Sequence, residues 1–455
     1  MSSRSEEEHP SVPRSRALWM VMRARPLLLV PEWARRWLVP AAAGIAVAAV
    51  MALLVPAVLP AVAAGLVAAG VATALQMADP DESRLPLANE ELHRLIAEVA
   101  AELGLRRPGR VCAWARPDSL AVRVTPWRDE LRLGLPFLTE MRRDELRAVV
   151  AYELTLLALR RSLLTDALHT WWMTDLPRGR PVPPEVEDVL IGMFRSADAA
   201  AARVAGVPAS TSALLRGALI SNSFTWFAVR YGGPAAELHG FPTDLYAGWR
   251  WKGRHDGLLT AFARSVAEDD RPGSTPMRIA ALTGETPTDV AAKIAADGIG
   301  TRAGSAGSAV LPEGLPEEDE RRLARAFMRE LLARPAARGV PLREVPDRLW
   351  DGVLEQERTD VLAVVAALLG REDATSEDVV DVARAGRADE LAWDHRAWLC
   401  PHRDPAVCAL FPVLHRELRE SGHAYANPLA RRVLIAPDGA RVDVAALAAE
   451  VATGT

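Results

Sequence analysis

Lysine is nearly missing: Lys252 and Lys293 are the only two in 455 residues, so arginine carries almost all of the positive charge. That bias, beside abundant alanine, fits a GC-rich coding sequence better than a chemical requirement. The formal net charge is −5 and no concentrated basic stripe follows residue 40, which leaves no electrostatic case for a nucleic-acid partner. Cysteine is scarce as well. Cys112, Cys400 and Cys408 are odd in number and lack the spacing of a disulfide scaffold, which fits a reducing compartment. After residue 316 there is neither a phosphate-cradling glycine loop nor a nucleophile elbow.

The chain does have one long uncharged run, from Trp37 to Ala78. It is too long for a signal-peptide core and too long for one membrane span, since roughly 20 residues cross a bilayer. Pro56 and Pro60 divide it into arms at 39–55 and 61–77, predicting a hairpin of two transmembrane helices. A single kinked or interfacial helix is the other reading. Arg23, Arg25, Arg35 and Arg36 precede the first arm, so the positive-inside rule keeps the N-terminus cytoplasmic. Two crossings then return the main domains to the cytoplasm, as a multi-pass protein of the cell membrane in contact with its lipid.

Residues 90–103 read as an amphipathic helix stopped by Gly104, followed by strand signals at 111–114, 120–124 and 131–135. The stretch 142–161, RRDELRAVVAYELTLLALRR, is the organising helix. Leu146, Val149, Val150, Leu154 and Leu157 form two adjacent apolar stripes, and Asp144 and Glu145 stand at the helix start, where the dipole favours acids. Strands beside a buried helix, followed by mostly helical sequence, predict an α+β, mostly helical protein.

The succession "DELRLGLPFL", "RDELRAVVAYEL", "FRSADAAAARVAG" and "STPMRIAAL" resembles the membrane-associated zinc endopeptidases of the HtpX and CAAX-prenyl-protease type, over about residues 85–285. The resemblance implies a zincin-like domain, with zinc held by a His-Glu-x-x-His helix and a glutamate on a later helix. Here Tyr152 and Leu156 stand at the two histidine positions and Phe194 at the third-ligand position. Glu153 matches the catalytic glutamate and Asp198 a supporting aspartate, while Thr275 replaces a histidine and Pro276 is kept. A phenol, an isobutyl group and a benzyl ring are poor donors for zinc, which takes nitrogen, thiolate or carboxylate. The motif is therefore degenerate: Glu153 is vestigial, Tyr152, Leu156, Phe194 and Asp198 line the former cleft, and no metal or other cofactor is expected. A buried Glu153 without metal should have a raised pKa unless an arginine or backbone donors compensate.

Other histidines offer little. His169 reads as partly exposed beside Trp171 and Trp172, and His239 and His255 bracket a loop-rich aromatic stretch. Cys400, His402, Cys408 and His415 fit no zinc spacing. The aromatics from Phe224 to Tyr231, with Trp249 and Trp251, read either as core or as a membrane or partner surface interleaved with Arg230, Arg250 and Arg254.

The segment 298–316, rich in Gly, Ser, Ala and Pro, is the clearest boundary. Five parts follow: a cytoplasmic segment 1–36, two transmembrane helices within 37–78, a degenerate metallopeptidase-like domain 85–297, the linker, and a C-terminal helical domain 317–455. The last has helices at 317–332, 342–354, 359–369 and 376–384, and a β-hairpin around Pro437-Asp438-Gly439. The expected function is binding or regulation without hydrolysis, through a protein or peptide in the former cleft or through the C-terminal domain. Two readings stay open beside it: an active zinc metalloendopeptidase with unrecognised ligands, and a structural membrane adaptor.

Overall fold

The computed structural model describes residues 82–125, 128–175, 183–256, 262–271, 273–297, 313–332, 338–391, 404–427 and 433–454, with 259, 310 and 311. The expected membrane hairpin, the N-terminal segment and most of the linker lie outside them. Among the described residues no helix is long and apolar enough to cross a membrane. They form a mostly helical α+β fold of 15 α-helices and three small sheets.

The largest sheet has four strands: β1 (Arg84–Pro86), β2 (Arg110–Trp114), β3 (Ser119–Thr125) and β4 (Arg128–Gly134), in the order β1-β2-β4-β3. β2 and β4 run parallel, and the two outer pairings are antiparallel. α1 (Glu90–Glu102) starts at Asn89, whose side chain accepts the Leu92 N–H at 2.8 Å, and buries Leu92, Leu95, Ile96 and Val99. After β4 comes a short helix, α2 (Leu135–Glu140), with Pro136 in its first turn, where no N–H is needed. Gly134 is required there. A Cβ would collide with the carbonyl oxygens of Arg116 and Asp118, the latter at 2.6 Å, and the Gly134 N–H donates to Asp118 O at 2.7 Å. The lack of a side chain at Gly134 lets the turn from β2 to β3 fold back over β4.

The organising helix is α3 (Arg143–Leu159); of the predicted stripes Leu146, Val150, Leu154 and Leu157 are buried and Val149 is partly buried. Glu145 accepts the Arg142 N–H at 2.8 Å and also takes Arg216 Nε at 3.0 Å and the Ser212 hydroxyl. It thereby ties α3 to α6 (Val207–Glu237), a 31-residue helix. Between them run α4 (Leu163–Asp175) and α5 (Pro184–Ala205), and α5 packs along α3. Beyond α6 come β5 (Gly240–Pro242), α7 (Leu245–Asp256), α8 (Ala263–Ala267), α9 (Thr275–Thr283) and α10 (Pro287–Asp297).

The aromatic stretch is core. Phe224 and Phe227 are fully buried, Phe224 stacks on Tyr246 at 5.1 Å and meets Trp249 edge-on at 5.5 Å. Arg230 pairs with Glu357 and Arg250 with Glu320, so these arginines serve packing instead of a headgroup surface. Apolar packing also runs past the predicted boundary. α11 (Glu317–Leu332) buries Leu323, Phe327 and Met328 in the same core as α3 and α6. β6 (Arg338–Val340) pairs in parallel with β5.

The helices expected at 342–354 and 359–369 are one helix, α12 (Asp347–Leu369), after a 3₁₀ turn at Leu342–Glu344. No Gly or Pro interrupts 353–359, and Trp350, Leu354, Val361 and Val365 stay buried along it. Trp350 belongs to the first core and Val361 to a second, so the cores divide within α12 and not at 298–316. The second core holds α13 (Ser376–Arg384), α14 (Pro405–Glu420), α15 (Val444–Thr453) and a sheet of β7 (Ala424–Tyr425), β8 (Val433–Ile435) and β9 (Arg441–Asp443). α13 begins with a capping box of Thr375 and Asp378. The β8–β9 turn places Gly439 at φ 87°, as the Pro-Asp-Gly signal requires.

Candidate functional site

The site residues converge because α3 passes under the edge strand β3 while α5 and α6 pack against its other faces and α9 packs on α5 and α6. Tyr152, Glu153 and Leu156 lie on α3, Phe194 and Asp198 on α5. Two groupings result. Tyr152, Leu156 and Phe194, the three positions where the resemblance places zinc ligands, share one apolar cluster with Leu168, Trp171, Val186 and Leu190. Glu153 and Asp198 instead line a cavity of about 260 Å³ on the other side of Tyr152, with Thr275 and Arg278 also on its wall.

Glu153 is buried but not left bare. Its Oε1 accepts the Ser119 hydroxyl at 2.8 Å and its Oε2 accepts the Ala121 backbone N–H at 2.9 Å. Burial still holds its pKa above the ordinary carboxylate range, against the opposing pull of Ser119, Ala121, Arg160 and Arg278. Backbone compensation is thus present, yet burial dominates. Arg160 donates from Nη1 to the Ala121 carbonyl at 3.4 Å. Both backbone groups of Ala121, on the strand edge away from β4, are therefore occupied by side chains of the α3 end.

Asp198 is gripped by Arg278 in a two-pronged pair, Nε to Oδ2 at 2.9 Å and Nη2 to Oδ1 at 2.6 Å. The same guanidinium lies 4.6 Å from the centre of the Tyr152 ring, in cation–π range. Burial drives the Tyr152 phenol well above its usual pKa, so it stays neutral, with Arg278 pulling the other way. Asp118, on the β2–β3 turn fixed by Gly134, also lines the cavity. Burial raises its pKa to about 7, Arg116 opposes and Glu153 reinforces the rise, and its Oδ1 has no hydrogen-bond partner. Ser210 on α6 is 3% exposed, lines the same cavity, and its hydroxyl is likewise unpartnered.

These residues do not fit zinc. The three positions offer a neutral phenol and two hydrocarbon side chains, and the carboxylates of Glu153 and Asp198 already have donors. A guanidinium also stands against Tyr152, where a second cation would be repelled. Among the described residues no group of three or more His, Cys, Asp or Glu side chains is placed to hold a metal ion.

The remaining histidines stay apart from the cavity wall. His169 on α4 is 4% exposed, a correction to the expected partly exposed ring. Burial, with Arg160 adding to it, lowers its pKa to about 3, so it is neutral. His239 is exposed in a left-handed turn at φ 56° before β5. Cys400, His402 and the His255 side chain lie outside the described residues, while Cys408 and His415 sit on α14 in the second core's helix layer.

Arg278, Asp118, Ser119 and Ser210 were missing from the sequence expectation. Arg278 had a signal, since it lies in the "STPMRIAAL" segment. The others depend on the turn geometry and on the helix crossing, which leave no trace in local spacing. The chain matches no protein-family model, no curated protein and no solved structure.

Proposed function

We propose that this chain is a membrane-anchored, metallopeptidase-like protein that has lost hydrolysis and works by binding. One observation supports the reading: Tyr152, Leu156 and Phe194 belong to one apolar cluster, Leu156 buried in it and the other two partly buried against it, while the glutamate between the first two is tied to Ser119 and Ala121. A hydrolytic site needs an ion or base facing a water molecule; here the equivalent space is filled by hydrocarbon and the base by structural hydrogen bonds. The cavity beside Tyr152 supports binding over a purely structural adaptor. Membrane anchoring rests on the uncharged run at 37–78 and the arginines before it.

The test is elemental analysis of the purified full-length chain together with a casein-cleavage assay. The expected result is substoichiometric zinc and no chelator-sensitive cleavage. Stoichiometric zinc with cleavage abolished by a chelator would overturn the reading in favour of an active peptidase.

A further inference from the structure

Arginines scattered along the sequence are gathered by the four-stranded sheet. Leu85, Val111, Ala113, Ala121, Leu131 and Leu133 belong to the first core, so the alternate residues of the same strands form the sheet's second face. That face carries Arg84 on β1, Arg110 on β2, and Arg128 and Arg132 on β4. Glu130 lies among them. Arg84 Nη1 and Arg132 Nε donate to it at 2.6 and 2.8 Å, and Arg110 Nη1 stands 3.8 Å away. Its side chain is 2% exposed, so it holds the sheet's own arginines and presents little charge outward.

The loop from α1 to β2 adds Arg106 and Arg107 at the end where β2 and β4 begin. Arg107 Nη2 donates to His93 Nδ1 at 3.0 Å, and the Gly109 N–H donates to Asp129 O at 2.9 Å. A Cβ at Gly109 would lie 3.5 Å from Arg128 Cγ, so loop and strand meet there. Arg106, Arg107 and Arg128 are exposed and the Arg110 side chain is 34% exposed. Asp129 pairs with Arg123 at 3.5 Å. On α1, Glu91 pairs with Arg143, and Glu98 and Glu102 with Arg147, so these acids are engaged by α3. Seven arginines therefore share this side of the sheet with two carboxylates, Asp129 and Glu130, in a chain whose net charge is −5.

We propose that this basic corner, presented by Arg106, Arg107, Arg110 and Arg128, docks on the anionic headgroups of the membrane that holds the chain. The proposal rests on the membrane-anchored part of the reading above and adds a contact surface to it. The uncharged run ends at Ala78 and β1 begins at Arg84, a stretch that spans at most roughly 20 Å at about 3.5 Å per residue. So short a tether makes the encounter of the corner with lipid intramolecular, which favours headgroups over a soluble polyanion of the same charge. A guanidinium matches a phosphate in two-pronged geometry, and a cluster of roughly four to eight basic residues beside a membrane-spanning segment is of the size that recognises anionic lipid.

The experiment is hydrogen exchange of the full chain in liposomes of phosphatidylcholine alone and of phosphatidylcholine with about 30% phosphatidylglycerol. Amides of 104–110 should exchange about ten-fold or more slowly in the anionic liposomes, and high salt should remove the difference. Residues 371–387, in the second core, should exchange alike in both. The combined change Arg106→Gln, Arg107→Gln and Arg128→Gln alters only exposed side chains and should abolish the slowing while the chain still unfolds cooperatively. Arg371→Gln, also exposed, should keep it. Equal exchange of 104–110 in the two liposomes, as a corner covered by the chain itself or by a second copy would give, overturns the proposal. So does a slowing that survives high salt or the triple change, or one produced by single-stranded DNA and not by anionic lipid. A chain that alkaline carbonate strips from both liposomes sinks the anchored reading beneath, whereas an anchored chain with equal exchange sinks this inference alone.

Discussion

Arg278 and Asp198 are 80 residues apart in the chain and joined by two parallel hydrogen bonds of 2.9 and 2.6 Å. The aspartate side chain is 5% exposed and the arginine 21%, so the pair is largely withdrawn from water. Pairs of this kind gain little over a hydrocarbon replacement but cost much when one partner is removed.

Arg278→Met should therefore destabilise the chain by about 3 kcal/mol, because Asp198 is left charged and buried. The double variant with Asp198→Leu should cost clearly less than the sum of the two single changes. Denaturant unfolding of the four proteins measures the coupling, and strict additivity would show that the pair does not act as a unit.

Glu153 gives a sharper contrast. Glu153→Gln keeps an acceptor for the Ala121 N–H, and its amide can donate to the Ser119 hydroxyl, which has lone pairs to accept. The expected cost is within about 1 kcal/mol. Glu153→Ala orphans the Ala121 N–H and should cost about 1–3 kcal/mol. Urea melts of both variants decide it; equal losses would mean that Glu153 contributes its charge and not its acceptor oxygens.

Two titratable groups push stability in opposite directions with pH. Asp118 keeps its proton to about pH 7 when folded, above its ordinary value of 3.8, so the folded state binds more protons between those limits. Its contribution is unfavourable as pH rises through that window and fully so above it; Glu153, also raised, adds the same sign. His169 is the reverse. Folded, its pKa is about 3 against an ordinary 6.5, so acidification through that interval favours unfolding. Asp118→Asn should raise the melting temperature above pH 7 and leave it unchanged near pH 3. His169→Leu should remove the acid-side loss and leave a melting temperature that falls as pH rises from 4 to 7. Melting curves across pH in both variants test the signs separately.

The organising helix was legible because its apolar residues form two contiguous stripes, which only a helix buried on most sides can satisfy. The β8–β9 hairpin was legible because Pro-Asp-Gly specifies its turn. The join of 342–354 and 359–369 into α12 was hidden by Glu355, Glu357 and Arg358, which break the apolar pattern without breaking the backbone. α11 was placed with the C-terminal helices because amphipathicity shows that a face is buried and not against what. At the site, Glu153 and the lack of zinc donors at Tyr152 and Leu156 could be read from one helix. The grip of Arg278 on Asp198, and the burial of Asp118 through Gly134, join distant segments and needed the fold.

The three positions where the resemblance places zinc ligands offer a direct check on it. Tyr152 and Leu156 are one helical turn apart on α3, and Phe194 meets them in the same cluster from α5. The combined change Tyr152→His, Leu156→His and Phe194→Glu removes three apolar contributors and brings polar groups into that cluster. Without metal it should unfold more easily than the natural chain by several kcal/mol, from lost burial and unpaired polar groups. Two imidazoles a turn apart and a facing carboxylate are a zinc donor set, so added zinc should restore part of the melting temperature of this variant. The natural chain, with a phenol and two hydrocarbon side chains there, should not respond. If the variant folds and zinc leaves its melting temperature unmoved, the three positions do not converge in metal-binding geometry. The zincin-like reading of this domain would then have to be abandoned, because shared ligand geometry is the physical content of the resemblance.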